Sequence, residues 1–227
     1  LGKRPAEQAS DKRTEDSLFV YYHGIRPGEY EIRAAYSGKL RRASKEPFRY
    51  ACPQPAVQDS TTRGDWPGRY GSKGYVFCHY EPDGSHRIRL PEFTDSIRFA
   101  KTGGLHIATQ TDDRRAPVSE DGSGTRNAGT VVTLDPAPCN QTMTVDIRNK
   151  HDGPYRLALY FVDWEKTGRR SAVEVFDLDD KRLLMPVQIV RDYREGRYVV
   201  LSLEGSVRLR INQVRGTNAS LCALFFD

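Results

Sequence analysis

Beyond Thr130 the chain keeps a two-residue rhythm, strict in Met143-Thr-Val-Asp-Ile147. A period of two sends successive side chains to opposite faces of a pleated strand, whereas a helix needs a period near 3.6. That restricts the second half of the chain to half-buried sheet. Further short runs lie at 130–134, 173–176, 183–190, 197–203, 207–211 and 221–226. The run 155–162 is apolar without interruption, which predicts a central strand covered on both faces. Seven or more short strands at this spacing predict an all-β fold, an antiparallel β-sandwich, with the last strands expected as a meander joined by short loops and a tight turn at Asp179-Asp180.

The first half is less regular. Strands are expected at 75–80 and 87–90 about the turn Asp83-Gly84, and at 96–100 and 105–109. Residues 112–129, with Glu120-Asp-Gly-Ser-Gly124, form a polar stretch that reads as an exposed loop or disorder that buries almost nothing. Residues 41–74 carry prolines at 47, 53, 55 and 67 and glycines at 64, 68, 71 and 74, a long loop of the length that usually signals function or mobility. At the N-terminus a charged leader over 1–17 precedes a strand at 18–22, the turn Arg26-Pro-Gly28 and a strand at 30–36, predicting a first hairpin. Two segments follow: an extension over 1–59, separate or part of the same sandwich, and a sandwich over 60–227 with a long polar loop near 110–129.

The 227 residues suffice for one large sandwich plus an extension, and with leucine first and no leader sequence in view the chain reads as a piece of a longer protein. No window of 18 apolar residues marks a membrane span. The formal charge is +5. Its basic residues are scattered singly, except around Arg41 and Arg42, and that scatter argues against nucleic acid, which needs cations gathered on one face. Arginine outnumbers lysine, and its planar fork pairs with carboxylates, so an acidic sugar remains a candidate partner. The cysteines Cys52, Cys78, Cys139 and Cys222 lack metal-ligand spacing; disulfides and buried thiols are both open. Two sequons begin at Asn140 and Asn218.

Catalytic motifs are absent. His23, His79, His86, His106 and His151 form no HExxH or HxH and read as surface or turn residues; there is no GxSxG elbow, P-loop or GxGxxG. The best enzymatic alternative is a lyase or glycosidase acting on acidic glycans, with Tyr80, His79 and His86 beside Arg87 for proton transfer and uronate neutralisation. No cofactor is expected apart from a structural calcium, for which Asp177, Asp179 and Asp180, or Asp112 and Asp113, would supply carboxylates; such pairs are also ordinary turn residues.

The segments Tyr155-Arg-Leu-Ala-Leu-Tyr-Phe-Val-Asp-Trp164, Gly168-Arg-Arg170, Val173-Glu-Val-Phe-Asp177, Gly196-Arg-Tyr198, Val207-Arg-Leu-Arg-Ile211 and Leu224-Phe-Phe-Asp227 resemble a galactose-binding-like β-sandwich module appended to bacterial glycosidases, α-L-rhamnosidases among them. Gly64-Asp-Trp-Pro-Gly-Arg-Tyr-Gly-Ser-Lys-Gly-Tyr75 is similar to that module's opening. The resemblance covers about 60–227 and departs from the pattern in the insertion around 81–129. It implies a jelly roll and a non-catalytic role in a secreted polysaccharide-degrading protein, extracellular or periplasmic: binding a glycan, plant cell-wall or acidic, or packing as a structural domain against a neighbouring catalytic domain.

Sugar rings stack an apolar face on aromatic rings and offer hydroxyls to forked polar groups. Trp66, Arg69, Tyr70 and Tyr75 on the glycine-rich loop, and Asp163, Trp164 and Arg170 at the end of an expected strand, supply that combination and are the expected carbohydrate-binding residues, with Trp66 and Trp164 near one another. The competing expectation is that the glycines permit positive φ and both tryptophans plug the sandwich ends.

Overall fold

The computed structural model describes residues 56–134 and 141–227 in full and, of residues 1–55, the backbone of six strands. The chain divides into two units, Leu1–Pro55 and Ala56–Asp227.

In the first unit β1 (Ser10–Thr14) pairs with β2 (Ser17–Tyr21), β3 (Gly28–Tyr30) with β6 (Phe48–Tyr50), and β4 (Arg33–Tyr36) with β5 (Lys39–Arg42), all antiparallel. The run at 18–22 therefore takes its partner from within the expected leader rather than from 30–36.

The second unit contains β7 (Val57–Asp59), β8 (Gly74–Phe77), β9 (Arg87–Arg89), β10 (Thr94–Ala100), β11 (Thr102–Ala108), β12 (Ala128–Thr133), β13 (Thr142–Asn149), β14 (Pro154–Phe161), β15 (Arg170–Asp177), β16 (Gln188–Val190), β17 (Arg197–Glu204), β18 (Val207–Arg215), β19 (Ser220–Leu221) and β20 (Ala223–Phe226). A six-stranded sheet, β7-β17-β14-β20-β8-β9, faces a five-stranded sheet, β10-β13-β18-β15-β16, with β11-β12-β19 as a third small sheet. This is an antiparallel β-sandwich. There is no helix among the described residues long and apolar enough to cross a membrane, which says nothing of membrane-spanning strands.

The expected meander is not the topology. From β13 onward the chain crosses repeatedly between the facing sheets, with only β15 and β16 paired as sequence neighbours. Alternation specifies that a segment is a strand and which residues share a face; it does not name the partner strand. Likewise only Gln188–Val190 of the expected 183–190 strand is regular, since Pro186 brings no N–H to a ladder.

Alternation sorts the side chains of the six-stranded sheet without exception along its central strand. Tyr155, Leu157, Leu159 and Phe161 of β14 join Val199 and Leu201 of β17 and Leu224 and Phe226 of β20 in the core between the sheets, with Met143, Val145, Ile147, Leu209 and Ile211 opposite. The intervening residues Ala158, Tyr160 and Val162 point outward with Tyr198, Val200, Phe225, Phe77 and Tyr75 into a second apolar cluster. The central strand is thus buried on both faces, as its unbroken apolar run predicts.

Two loops roof that outer cluster, residues 60–73 and 110–127. The expectation that 112–129 buries almost nothing is overturned: Ala116, Ser119 and Asn127 are buried. The backbone of this polar stretch supplies acceptors to the aromatic groups beneath it. Trp66 Nε1 donates to the Val118 carbonyl at 2.7 Å, the Tyr160 hydroxyl to Arg115 O at 2.8 Å and the Tyr80 hydroxyl to Pro117 O at 3.2 Å. The loops clasp each other through Gly64 N–H to Arg114 O at 2.9 Å and Val118 N–H to Gly64 O at 3.0 Å. A Cβ on Gly64 would stand 2.0 Å from Ala116 O, so the approach requires glycine. Asp65 bridges Arg126 and Arg114; the bond from Arg126, set against partial burial and joined by Arg114, holds its carboxyl below the usual range.

Candidate functional site

Three of the expected sugar-stacking rings belong to that sealed cluster. Trp66 is 4% exposed, Tyr70 8% and Tyr75 3%. Trp66 packs on Phe225 at 5.1 Å and Tyr75 at 5.4 Å, while Tyr70 stacks on Tyr198 at 4.4 Å. Their faces are occupied by other rings, so in this structure Trp66 and Tyr75 plug the outer face of the sandwich rather than platform a sugar. Trp164 is half-buried against the same cluster and carries Arg115 over its ring at 5.1 Å.

Asp163 is also withdrawn from solvent. Its carboxylate accepts the N–H groups of Gly168 at 2.7 Å and Arg169 at 3.1 Å and pairs with the Arg169 guanidinium at 2.6 Å, both side chains buried. Burial alone raises its pKa; the Arg169 and Gly168 bonds outweigh that and lower it. Arg169 also donates to Asn218 Oδ1 at 2.9 Å. The loop is locked by Arg169, a residue the sequence reading passed over in favour of Arg170, which stands half-buried at the start of β15.

The proton-transfer set fares similarly. The Tyr80 hydroxyl is committed to Pro117, and Arg87 lies over the Tyr80 ring at 4.6 Å, paired with Glu81 at 2.5 Å and Glu120 at 3.3 Å. His79, His86 and His106 are gathered rather than scattered. The His79 N–H donates to His86 Nδ1 at 2.9 Å, His106 Nδ1 meets the His79 carbonyl at 3.1 Å, and His79 holds φ at 49°. Burial, then the neighbouring His79, lowers the His86 pKa. Among the expected calcium ligands, Asp177 accepts the N–H groups of Asp179 and Asp180 as a turn residue and Asp113 pairs with Arg115 at 2.6 Å. No group of three or more His, Cys, Asp and Glu able to hold a metal occurs among the described residues. Cys78 and Cys222 are buried free thiols pointing to opposite faces of the sheet; burial raises both, Cys222 to about 11. Cys52, Cys139 and Asn140 lie outside the described residues.

Two of the expected residues, exposed Arg69 and the otherwise buried Tyr70, line an open cleft. On the outer side of the six-stranded sheet a cleft of about 450 Å³ is lined by Gln58, Asp59, Ser60, Thr61, Arg69, Tyr70 and Arg156. Asp59 organises it. Its Oδ1 accepts the Thr61 N–H at 2.7 Å and hydroxyl at 2.8 Å; its Oδ2 accepts the Tyr70 hydroxyl at 2.9 Å and the Thr62 hydroxyl. Burial pushes its pKa up, and these four donors together overcome that and hold it well below the usual carboxylate range. Burial, then the bond to Asp59, pushes the Tyr70 phenol up. Both groups are fixed acceptor and donor, not proton shuttles near neutrality.

Arg69 donates to the Thr62 hydroxyl at 2.6 Å and lies 3.5 Å from Asp59, yet its side chain remains 60% exposed. Arg156 projects beside it from the outward register of β14, exposed between buried Tyr155 and Leu157. Two guanidiniums and a rim of hydroxyls therefore surround one internally satisfied carboxylate. Sequence reasoning marked Arg69 and Tyr70 but missed Asp59, Thr61 and Arg156; the signal for Arg156 was a charged residue at an outward position of an otherwise apolar strand.

No family model matches the chain, and no curated protein matches it. Among solved structures it is similar to a family 35 carbohydrate binding module from Clostridium thermocellum, at 10% identity and a TM-score of 0.31 over 58% of this chain and 98% of that one. It is similar to the CBM32-1 and CBM32-2 domains of Clostridium perfringens ZmpB in complex with GalNAc, at 12% identity and a TM-score of 0.42 over 79% and 41%. A third is the module CBM6cm-2 of Cellvibrio mixtus lichenase 5A in complex with cellotriose, at 8% identity and a TM-score of 0.35 over 68% and 96%. All three are carbohydrate-binding modules.

Proposed function

We propose that the second unit is a carbohydrate-binding accessory module, acting outside the cytoplasm, and that the Asp59 cleft takes an acidic glycan. One observation carries this reading: Arg69 and Arg156 share an open cleft whose other polar groups are hydroxyls, an amide and a carboxylate already saturated with donors. Guanidiniums match a uronate carboxylate in geometry and charge, while Ser60, Thr61 and Gln58 suit sugar hydroxyls. The cleft offers binding without a second carboxylate for general acid and base work.

Binding to polygalacturonate, with neutral galactan as the control, tests the reading by affinity electrophoresis or calorimetry. The double variant Arg69→Ala/Arg156→Ala is expected to lose about tenfold or more in affinity, because each charge-assisted bond is worth about 1.5–3 kcal/mol and 1.4 kcal/mol is a factor of ten. Added salt weakens the wild type's binding, since both cations are exposed. Equal affinity for the neutral polymer, or a double variant that binds as well as wild type, sinks the proposal.

A second reading, packing against a neighbouring domain of a longer chain, is favoured by exposed Leu105 and Ile107, two residues apart on edge strand β11.

A further inference from the structure

The geometry points to a second anion-binding cleft, on the outer face of the five-stranded sheet, which makes the unit bivalent for polyanionic glycan. Three adjacent strands build it. Arg98 of β10 stands directly opposite Asp146 of β13, and Asp146 directly opposite Arg208 of β18, so guanidinium, carboxylate and guanidinium form one row across the sheet. Cross-strand partners of this kind hold their Cβ atoms about 4.5–5.5 Å apart. Arg148, two residues along β13 from Asp146 and opposite Ser96, adds a third guanidinium. With Leu178 as an apolar wall these residues line a cleft of about 310 Å³.

The charges are unevenly matched. Asp146 is saturated by Arg208, which donates from Nε at 2.6 Å and from Nη2 at 2.7 Å in a bidentate pair. Arg148 reaches Asp179 at 3.0 Å, but that carboxylate is 71% exposed on a turn, and exposed pairs of this kind hold weakly and exchange readily for another anion. Arg98 makes no ion pair among the described residues. Three cations and one committed carboxylate line the cleft, leaving Arg98 and Arg148 as forks for an incoming oxyanion. The Ser96 hydroxyl stands beside them for a sugar hydroxyl and Leu178 offers contact to ring C–H groups.

The ligand chemistry is a sugar carrying a carboxylate or sulfate. Its identity as a glycan rests on the reading of the Asp59 cleft; the cation arrangement does not. Because this cleft and that one lie on the outer faces of opposite sheets, one molecule can hold two glycan strands at once. Linking sites in this way multiplies attachment to a polymer without tightening either site.

Amide ¹H–¹⁵N spectra of the whole chain, titrated in parallel with trigalacturonate, a sulfated disaccharide and neutral galactotriose, test this directly. Expected are saturable shifts at Ser96, Arg98, Asp146 and Arg148 with one or both anionic sugars and none with the neutral one; the two anionic arms distinguish carboxylate from sulfate. The variant Arg98→Ala/Arg148→Ala should abolish these shifts, with unchanged thermal unfolding, and leave those about Asp59, Arg69 and Arg156 intact; Arg69→Ala/Arg156→Ala should do the reverse. Shifts confined to the Asp59 cleft overturn this proposal and spare the functional reading. Shifts confined to the Arg98 cleft do the opposite for the functional reading, while leaving the second cleft standing. Shifts at neither cleft, or equal shifts with the neutral sugar, overturn both. As a second measurement, long-chain polygalacturonate should scatter light strongly with the wild type and weakly with either double variant; undiminished scattering by both variants overturns the bivalent arrangement.

Discussion

The two sheets of the second unit turn very different outer faces to their surroundings. Outside the six-stranded sheet, Trp66, Tyr70, Tyr75, Phe77, Tyr160, Tyr198 and Phe225 interlock under two loops whose carbonyls satisfy the buried indole and phenols. Outside the five-stranded sheet, the corresponding positions on β10, β13 and β18 are Arg98, Asp146, Arg148 and Arg208. An antiparallel sheet commonly buries one face and wets the other; the five-stranded sheet leaves Ser96, Arg98 and Arg148 exposed on its outer face while burying Glu174 and Asn212 there, and the six-stranded sheet has acquired a second apolar core. The lesson concerns aromatic residues on loops. A glycine-rich segment rich in Trp and Tyr can be a ligand platform or the roof of a core, and what decides is whether polar backbone elsewhere in the chain closes over it.

That contrast is open to measurement, beginning with the largest effect. Trp66→Ala should lower unfolding free energy by about 3–5 kcal/mol in urea titrations, as removal of a buried aromatic does, whereas Arg98→Ala should stay within about 0.5 kcal/mol as an exposed substitution. A small loss at Trp66 would return that ring to the list of binding candidates. Gly64→Ala should cost about 1–3 kcal/mol, because the new Cβ drives into Ala116 O. Hydrogen exchange should then quicken at the Val118 amide, which bonds to Gly64 O; unchanged protection there would mean that the loops do not depend on this contact.

Acid should act next. His86 has its pKa lowered by burial and by His79, so the unfolded chain takes up the proton more readily than the folded one. The stability held by the neutral ring is fully present above the unfolded pKa of about 6.5 and is lost as pH falls from there through the folded pKa. Tm measured between pH 7.5 and 5 should decline for the wild type and more shallowly for His86→Gln, which cannot titrate. Parallel slopes would exclude His86 as the source. Asp59, Asp65 and Asp163, all lowered in the fold, contribute their loss only in the carboxylate range below that window. The smallest effect belongs to Arg148→Ala, whose pair with exposed Asp179 should be nearly silent in stability and visible only in anion binding.

Much of the fold was legible. Strands β13, β14, β17, β18 and β20 lie where short-range alternation or an unbroken apolar run places them, and the double burial of β14 follows from that run alone. The site was legible in part. Arg69 and Tyr70 do line the cleft, but Asp59 and Arg156 are brought to them from β7 and β14, and no local pattern announces that these strands meet the 60–73 loop. For Trp66 the residues alone left two expectations open, sugar platform or plug, because the carbonyl that receives its indole lies 52 residues further on, in a stretch whose composition reads as solvent-loving.

By itself, then, the order of residues determined which segments are strands and which side chains share a face, because the pleat is a property of neighbouring peptide units. Strand pairing, the roof over one sheet and the row of arginines and aspartate across the other were decided only in three dimensions. Those features depend on contacts between segments far apart in the chain, where backbone carbonyls, which every residue carries alike, do as much as side chains to set what is buried and what remains open.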